Sequence, residues 1–131
     1  MFNSRTLARK CALQTFYCCY FNNDSKKRVK LYFLKNNNNR IDKAYYNVLI
    51  TNIPKKIRIL DEFLLSMVAG KLHLKIDNVL DLFLLRMITF ELLYLKKVPK
   101  NTVFFETLQL ANKYSTTTSC SFIKTIFKNK F

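Results

Sequence analysis

The chain has 131 residues, half of them apolar, and its 23 Lys and Arg against 8 Asp and Glu give a formal charge of +15. That length suits one domain able to bury roughly two-thirds of its unfolded surface, and one Gly with two Pro leaves too little tight-turn chemistry for a β-sandwich, a barrel or a nucleotide-binding βαβ fold. What remains is a helical domain with a charge suited to a phosphate-bearing partner.

Ser4 is placed to cap a helix running to about Phe21. Leu7/Ala8, Cys11/Ala12, Thr15/Phe16 and Cys19/Tyr20 recur at helical spacing and predict its buried stripe. The neighbouring row is Arg5, Arg9, Leu13 and Tyr17. Arginines below a tyrosine suit a surface that neutralises phosphates and stacks a base; a solvated basic face beside a half-buried Tyr is the alternative from this helix alone. The basic residues ahead of CALQTFYCCYF imitate a targeting segment, but Gln14 interrupts the run and no small-residue cleavage site follows. The stretch is therefore read as mature protein.

Residues 22–40 are polar and low in complexity around VKLYFLK, which reads as a short helix in preference to an edge strand, with the asparagines of 36–39 as linker. The helical pattern resumes at Ile41 with Asp42 as cap and Tyr45, Tyr46, Leu49 and Ile53 facing inward; Pro54 kinks or divides it. Ile57, Leu60, Phe63 and Leu64 carry an apolar stripe to about Met67, and Ala69-Gly70-Lys71 holds the only glycine, a helix stop. A connector through His73 leads to Asp77 or Asn78 as the next cap. As the only histidine, His73 reads as a surface or loop residue and not as a base.

Residues 79–95, VLDLFLLRMITFELLYL, form the longest run that is apolar almost everywhere. Asp81, Arg86 and Glu91 are five apart, which scatters them around a helix, so the run predicts a helix buried on all sides. It is short and too charged for a bilayer span, which needs about 20 residues with few or no charges. Arg86 then needs a partner, and Glu91 and Glu106 are the candidate acceptors, in a structural role.

After a basic loop over 96–100, Asn101 or Thr102 caps a helix to about Tyr114, with Val103, Phe104, Thr107, Leu108 and Ala111 buried. Residues 115–118 are the last loop. Thr118 caps a final helix that packs Phe122, Ile123, Ile126 and Phe127 and leaves Ser121, Lys124 and Lys128 outside. Cys11, Cys18, Cys19 and Cys120 include no C-x₂-C pair and read as packing residues of a reducing cytosol, not as a metal or redox site.

Four stretches carry a resemblance to a known family: Ala8-Arg9-Lys10-Cys11-Ala12-Leu13-Gln14 with Tyr17; Leu85-Arg86 with Phe90-Glu91-Leu92; Val98-Pro99, then Glu106 with Leu110-Ala111; and Ser119 with Phe122-Ile123. In this order they resemble the NusB family of bacterial transcription antitermination factors, with its AR-x-x-A-x-Q-x-x-Y opening and its LR-x-x-x-YEL helix. The resemblance implies a compact all-α, single-domain bundle of about seven helices over residues 1–131. It implies binding of boxA-type single-stranded RNA of ribosomal RNA transcripts together with the ribosomal protein NusE, in the cytoplasm, with the elongating RNA polymerase complex as an indirect partner. Carried over by position, it nominates Arg5, Arg9, Lys10 and Tyr17, then Thr118, Ser121 and Phe122, with Lys124 beside them, as RNA contacts, and Asp81 as a contact for the protein partner.

The chain departs from the family pattern at Thr6 and Leu7, where further arginines often stand, at Phe104-Phe105-Glu106-Thr107 in place of Ile-Asn-Glu-Ala, and at Lys124-Thr125 in place of Asn-Gly. A NusB-like domain also occurs fused to an RNA methyltransferase, but this chain has no room for a glycine-rich cofactor domain. With no histidine pair, clustered carboxylates or glycine-rich phosphate loop in the sequence, the expectation is a non-catalytic adaptor without a cofactor or a membrane partner.

Overall fold

Apolar residues recurring at helical spacing, with almost no glycine to interrupt them, make helices the economical way to satisfy this backbone. The computed structural model describes residues 4–22, 25–37, 40–68, 79–114 and 117–127. Their regular structure is seven helices: α1 (Ser4–Phe21), α2 (Lys26–Asn36), α3 (Lys43–Lys55), α4 (Ile57–Val68), α5 (Val79–Tyr94), α6 (Lys100–Tyr114) and α7 (Thr117–Phe127). The all-helical expectation holds. The helix stop at Ala69-Gly70-Lys71, His73, the caps at Asp77 or Asn78, Ser115 and Lys128 lie outside the described residues.

The chain divides into two compact units, Met1–Lys55 and Lys56–Phe131. In the first, α1 packs against α3 and α2. Its buried side chains are Leu7, Ala8, Cys11, Ala12 and Leu13, and α3 supplies Tyr46, Leu49, Ile50 and Ile53. Asp42 caps α3 as its sequence position predicts, its Oδ1 accepting the Tyr45 N–H at 3.0 Å. The Asp42 N–H donates to the Ser4 carbonyl at 3.1 Å, which ties the start of α3 to the start of α1.

The short helix read over VKLYFLK is present as α2, and the first asparagines of the run read as linker close it. Asn36 Nδ2 donates to the Tyr32 carbonyl at 2.8 Å and Asn37 Nδ2 to the Phe33 carbonyl at 3.0 Å. The Phe33 carbonyl also accepts the Asn37 backbone N–H at 3.1 Å, so the amide side chain is a second donor to it at the end of the helix.

Pro54 divides the helix as predicted. It sits in the last turn of α3, Lys56 forms the turn, and α4 begins at Ile57. In this second unit α5 packs against α4 and α6, and α6 against α7. Phe83, Leu84, Leu85, Met87, Ile88 and Phe90 are all buried, so α5 is enclosed on every side, as its unbroken apolar run requires. The expected partners of Arg86 are corrected. Its Nε and a terminal nitrogen donate to the two carboxylate oxygens of Asp61 on α4, each at 2.9 Å. A planar guanidinium matches a carboxylate in this fork geometry, which selects a residue facing it from another helix over an acid further along its own.

Buried hydroxyls are satisfied locally: Thr89 donates to the Leu85 carbonyl at 2.7 Å and Thr107 to that of Val103 at 2.9 Å. Among the described residues no buried side-chain nitrogen or oxygen lacks a partner. α6 starts at Lys100, before both predicted caps, and buries Leu110 where Phe104 and Leu108 are only half-covered. Among the described residues no helix is long and apolar enough to cross a membrane.

Candidate nucleic-acid interface

The first unit carries eleven Lys and Arg against two acids, Asp24 and Asp42, and none of α1, α2 or α3 contains an acidic residue. Two arginines at the start of α1 converge on a single ring of α3. Arg5 Cζ lies 5.0 Å and Arg9 Cζ 5.1 Å from the centre of the Tyr45 ring. Residues four apart on a helix stand one above the other, so one aromatic side chain from a neighbouring helix reaches both.

Their exposures differ. The Arg5 side chain is 49% exposed, and its Nε lies 3.6 Å from Asp42 Oδ2. Arg9 is only 2% exposed and donates to the Tyr45 hydroxyl at 3.1 Å. This corrects the expectation of an open Arg5, Arg9, Leu13, Tyr17 face: Arg9 and Leu13 are buried, while Arg5 and Tyr17 are exposed. A row of i, i+4 residues drifts about 40° around a helix at each step because the α-helix has about 3.6 residues per turn. The drift brings Tyr17 out of the covered arc, while Arg5, angularly between the buried Ala12 and Arg9, is open because it stands in the first turn of the helix.

The row left open is Thr6, Lys10, Gln14, Tyr17 and Phe21, with the first three half-covered and the last two exposed. Tyr17 and Phe21 meet at 4.5 Å between ring centres. Gln14, which is not among the expected RNA contacts, stands in the same motif as Arg9 and Tyr17 and shares the helix face of Lys10 and Tyr17. Of the expected RNA contacts, the structure therefore brings Arg5 and Arg9 together on Tyr45 and sets Lys10 and Tyr17 on a different stripe of the same helix.

Elsewhere in the α1 to α3 seam the buried polar groups are uncharged and paired with one another. The Thr15 hydroxyl donates to the Cys11 carbonyl at 2.7 Å and shares a hydrogen bond of 2.7 Å with the Tyr46 hydroxyl. Burial pushes the Tyr46 hydroxyl up to about 12, more strongly than the bond from Thr15 pulls it down. Burial also raises the Cys11 thiol, against the pull of the Lys10 charge. Both groups stay protonated near neutral pH and act as packing.

On α7, Ser121 and Lys124 are exposed while Ile123, Ile126 and Phe127 are buried, as predicted. The Thr125 hydroxyl donates to the Ser121 carbonyl at 2.8 Å. α7 begins at Thr117, so Thr118 stands inside the first turn instead of before it; the side chains of Thr118 and Phe122 lie outside the described residues. Asp81 is half-buried in the first turn of α5, where the positive end of the helix dipole favours a carboxylate. Among the described residues no group of three or more His, Cys, Asp or Glu side chains is arranged to hold a metal ion.

These features define a basic all-helical protein with an arginine and tyrosine edge on its first helix. Comparison with known proteins makes the class specific: the sequence model of the NusB family matches residues 6–129. The chain is 30% identical over 126 residues to the transcription antitermination protein NusB of Finegoldia magna, covering 94% of this chain and 90% of that one. It is 29% identical to the protein of that name from Thermodesulfovibrio yellowstonii, covering 93% and 87%, and 26% identical to the one from Coxiella burnetii, covering 94% and 88%. The chain belongs to the NusB family.

Proposed function

We propose that this protein is a transcription antitermination factor that binds boxA-type single-stranded RNA of ribosomal RNA transcripts together with the ribosomal protein NusE. In this reading residues 1–131 work as one non-catalytic RNA-binding domain, without a cofactor, that reaches the elongating RNA polymerase complex through its partners. The observation that carries it is the pair of arginines on Tyr45 at the edge of a unit with eleven cations and two acids, in a chain whose family membership spans nearly its whole length. Arg5, Lys10 and Lys124 supply phosphate contacts, and Tyr17, with Thr118, Ser121 and Phe122, supplies stacking and hydrogen bonds to unpaired bases. Arg9 acts from beneath, holding Tyr45 so that Arg5 lies across the ring. Asp81 meets the protein partner.

The test is binding to a boxA-like single-stranded RNA and to a scrambled RNA across a salt series, with and without NusE. A partner-enhanced preference for the boxA-like strand is expected. Equal, steeply salt-sensitive binding to both would reduce the protein to a general RNA-holding module.

A further inference from the structure

We propose that the groove between the end of α1 and the outer face of α2 is a second site for single-stranded RNA, holding unpaired nucleotides that flank the stretch bound at the start of α1. The proposal rests on the reading of this protein as an RNA binder, but it concerns residues that reading does not use. The groove is an open cavity of about 250 Å³ lined by Cys18 of α1 and by Arg28, Val29, Tyr32 and Phe33 of α2. Its size falls below the roughly 300 to 1,000 Å³ of small-molecule pockets, so it suits a flat ring entering from solvent better than an enclosed cofactor. The floor is apolar: Val29 is buried and Phe33 half-buried, with the Phe33 ring edge-on to Tyr32 at 5.3 Å.

The wall of the groove includes aromatic surface that the fold does not cover, the Tyr32 ring. Of the nine large apolar side chains left exposed among the described residues, five are on these two helices: Tyr17, Tyr20, Phe21, Leu31 and Tyr32. Tyr32 is 62% exposed. Of these five, Tyr32 is the one that lines the groove.

Charge decides among the occupants. Arg28, Tyr32 and Lys35 follow one another at i, i+4 and i+7 and are all exposed, so cations and an aromatic ring alternate along a single stripe. Lys30, by contrast, is turned to α3, its Nζ donating to Asn47 Oδ1 at 2.6 Å. A helix that lies on a membrane separates its charges from its apolar residues onto opposite faces, which this stripe does not do. A second copy of the chain would bring one acid-free basic helix against another. A single strand of RNA matches the pattern, because its bases stack on aromatic rings while its phosphates take the neighbouring cations.

The test compares a boxA-like RNA with the same RNA extended by unpaired nucleotides at either end, using wild-type protein and the Arg28→Ala, Tyr32→Ala variant, whose melting temperature reports folding. For wild type, the extension at one end is expected to tighten binding about tenfold, within the range of one stacked base. The variant is expected to lose that gain and to keep wild-type affinity for the short RNA. A full gain in the folded variant would overturn the second site and leave the first intact. So would wild-type dimerisation that the variant lacks, with the gain from extension unchanged. Wild-type protein that binds neither RNA would overturn both readings together.

Discussion

Arg86 meets a carboxylate, and Arg9 meets an aromatic ring and its hydroxyl. Arg86 on α5, its side chain 16% exposed, is gripped by the Asp61 carboxylate through two bonds of 2.9 Å. Arg9 on α1, 2% exposed, donates to the hydroxyl of Tyr45 and lies over its ring. A carboxylate neutralises a guanidinium that it binds, whereas the Tyr45 hydroxyl and ring contact one without adding negative charge. The same contrast runs through the two units: Met1–Lys55 has eleven cations and two acids, Lys56–Phe131 twelve and six. Both units contain ion pairs: Asp42 with Arg5 in the first, and Asp61 with Arg86 and the exposed Glu62 with Arg58 in the second. The unit in which two arginines lie over one aromatic ring carries the larger excess of positive charge.

The largest expected effect is that of Arg9→Ala, which removes a fully buried long side chain together with its hydrogen bond. We expect a loss of about 3 to 4 kcal/mol in a urea melt. An unchanged midpoint would break the contrast, because it would mean that Arg9 is open in solution and meets RNA directly. Asp61→Ala comes next, at about 2 to 3 kcal/mol: the pair is only part-buried, so the cost falls below that of stripping a partner from a fully buried charge. Adding Arg86→Met should recover much of the loss, since no charge is then left without its partner. RNA affinity should be unchanged in both variants; a drop would make the Arg86 pair part of the binding surface.

What sequence reveals here follows from what periodicity can encode. The burial of α5 is legible because an apolar residue at nearly every position leaves no alternative face. The partner of Arg86 is not, because Asp61 precedes it by 25 residues on a different helix and nothing local distinguishes it from Glu106. The α1 row misleads for a different reason. Arg5, Arg9, Leu13 and Tyr17 share a spacing, but Arg5 is open only as part of the helix start and Tyr17 only because the row has drifted out of the covered arc, and only the fold shows where that cover begins and ends. Of the row left open, Gln14 and Tyr17 are fixed positions of the family motif and Lys10 fills a variable one. The roles of Asn36 and Asn37 at the end of α2 were hidden by the low complexity of their run.

The closed seam behind α1 gives a pH prediction of the order of 2 kcal/mol. An unfolded tyrosine loses its proton near 10, and Tyr46 in the fold near 12. Its contribution to stability is therefore fully present below pH 10 and is lost as pH rises through about 12. The raised Cys11 thiol acts in the same direction from a lower starting value. Tyr46→Phe keeps the ring and has no proton to lose, so its stability should fall less steeply over that range than the wild type's. Equal slopes, measured by circular dichroism melts at a series of alkaline pH values, would mean that water reaches Tyr46 and that the seam is looser than its packing implies.

The smallest effect on stability makes the sharpest test of the basic edge. Asp42 does two things: its Oδ1 caps α3, and its Oδ2 lies 3.6 Å from Arg5. Asparagine caps a helix about as well as aspartate, and an ion pair between side chains 49% and 29% exposed contributes little. Asp42→Asn should therefore shift stability by less than about 0.5 kcal/mol, whereas Asp42→Ala, which loses the cap, should cost about 1 kcal/mol. RNA binding should move the other way. The carboxylate competes with phosphate for Arg5, so Asp42→Asn should tighten binding about two- to threefold and steepen its salt dependence, while Arg5→Ala should weaken binding and flatten it by about one unit of slope. If Asp42→Asn instead weakened binding, the pair would be what aims Arg5 at the RNA, and the first unit's acid would belong to the site as much as its arginines do.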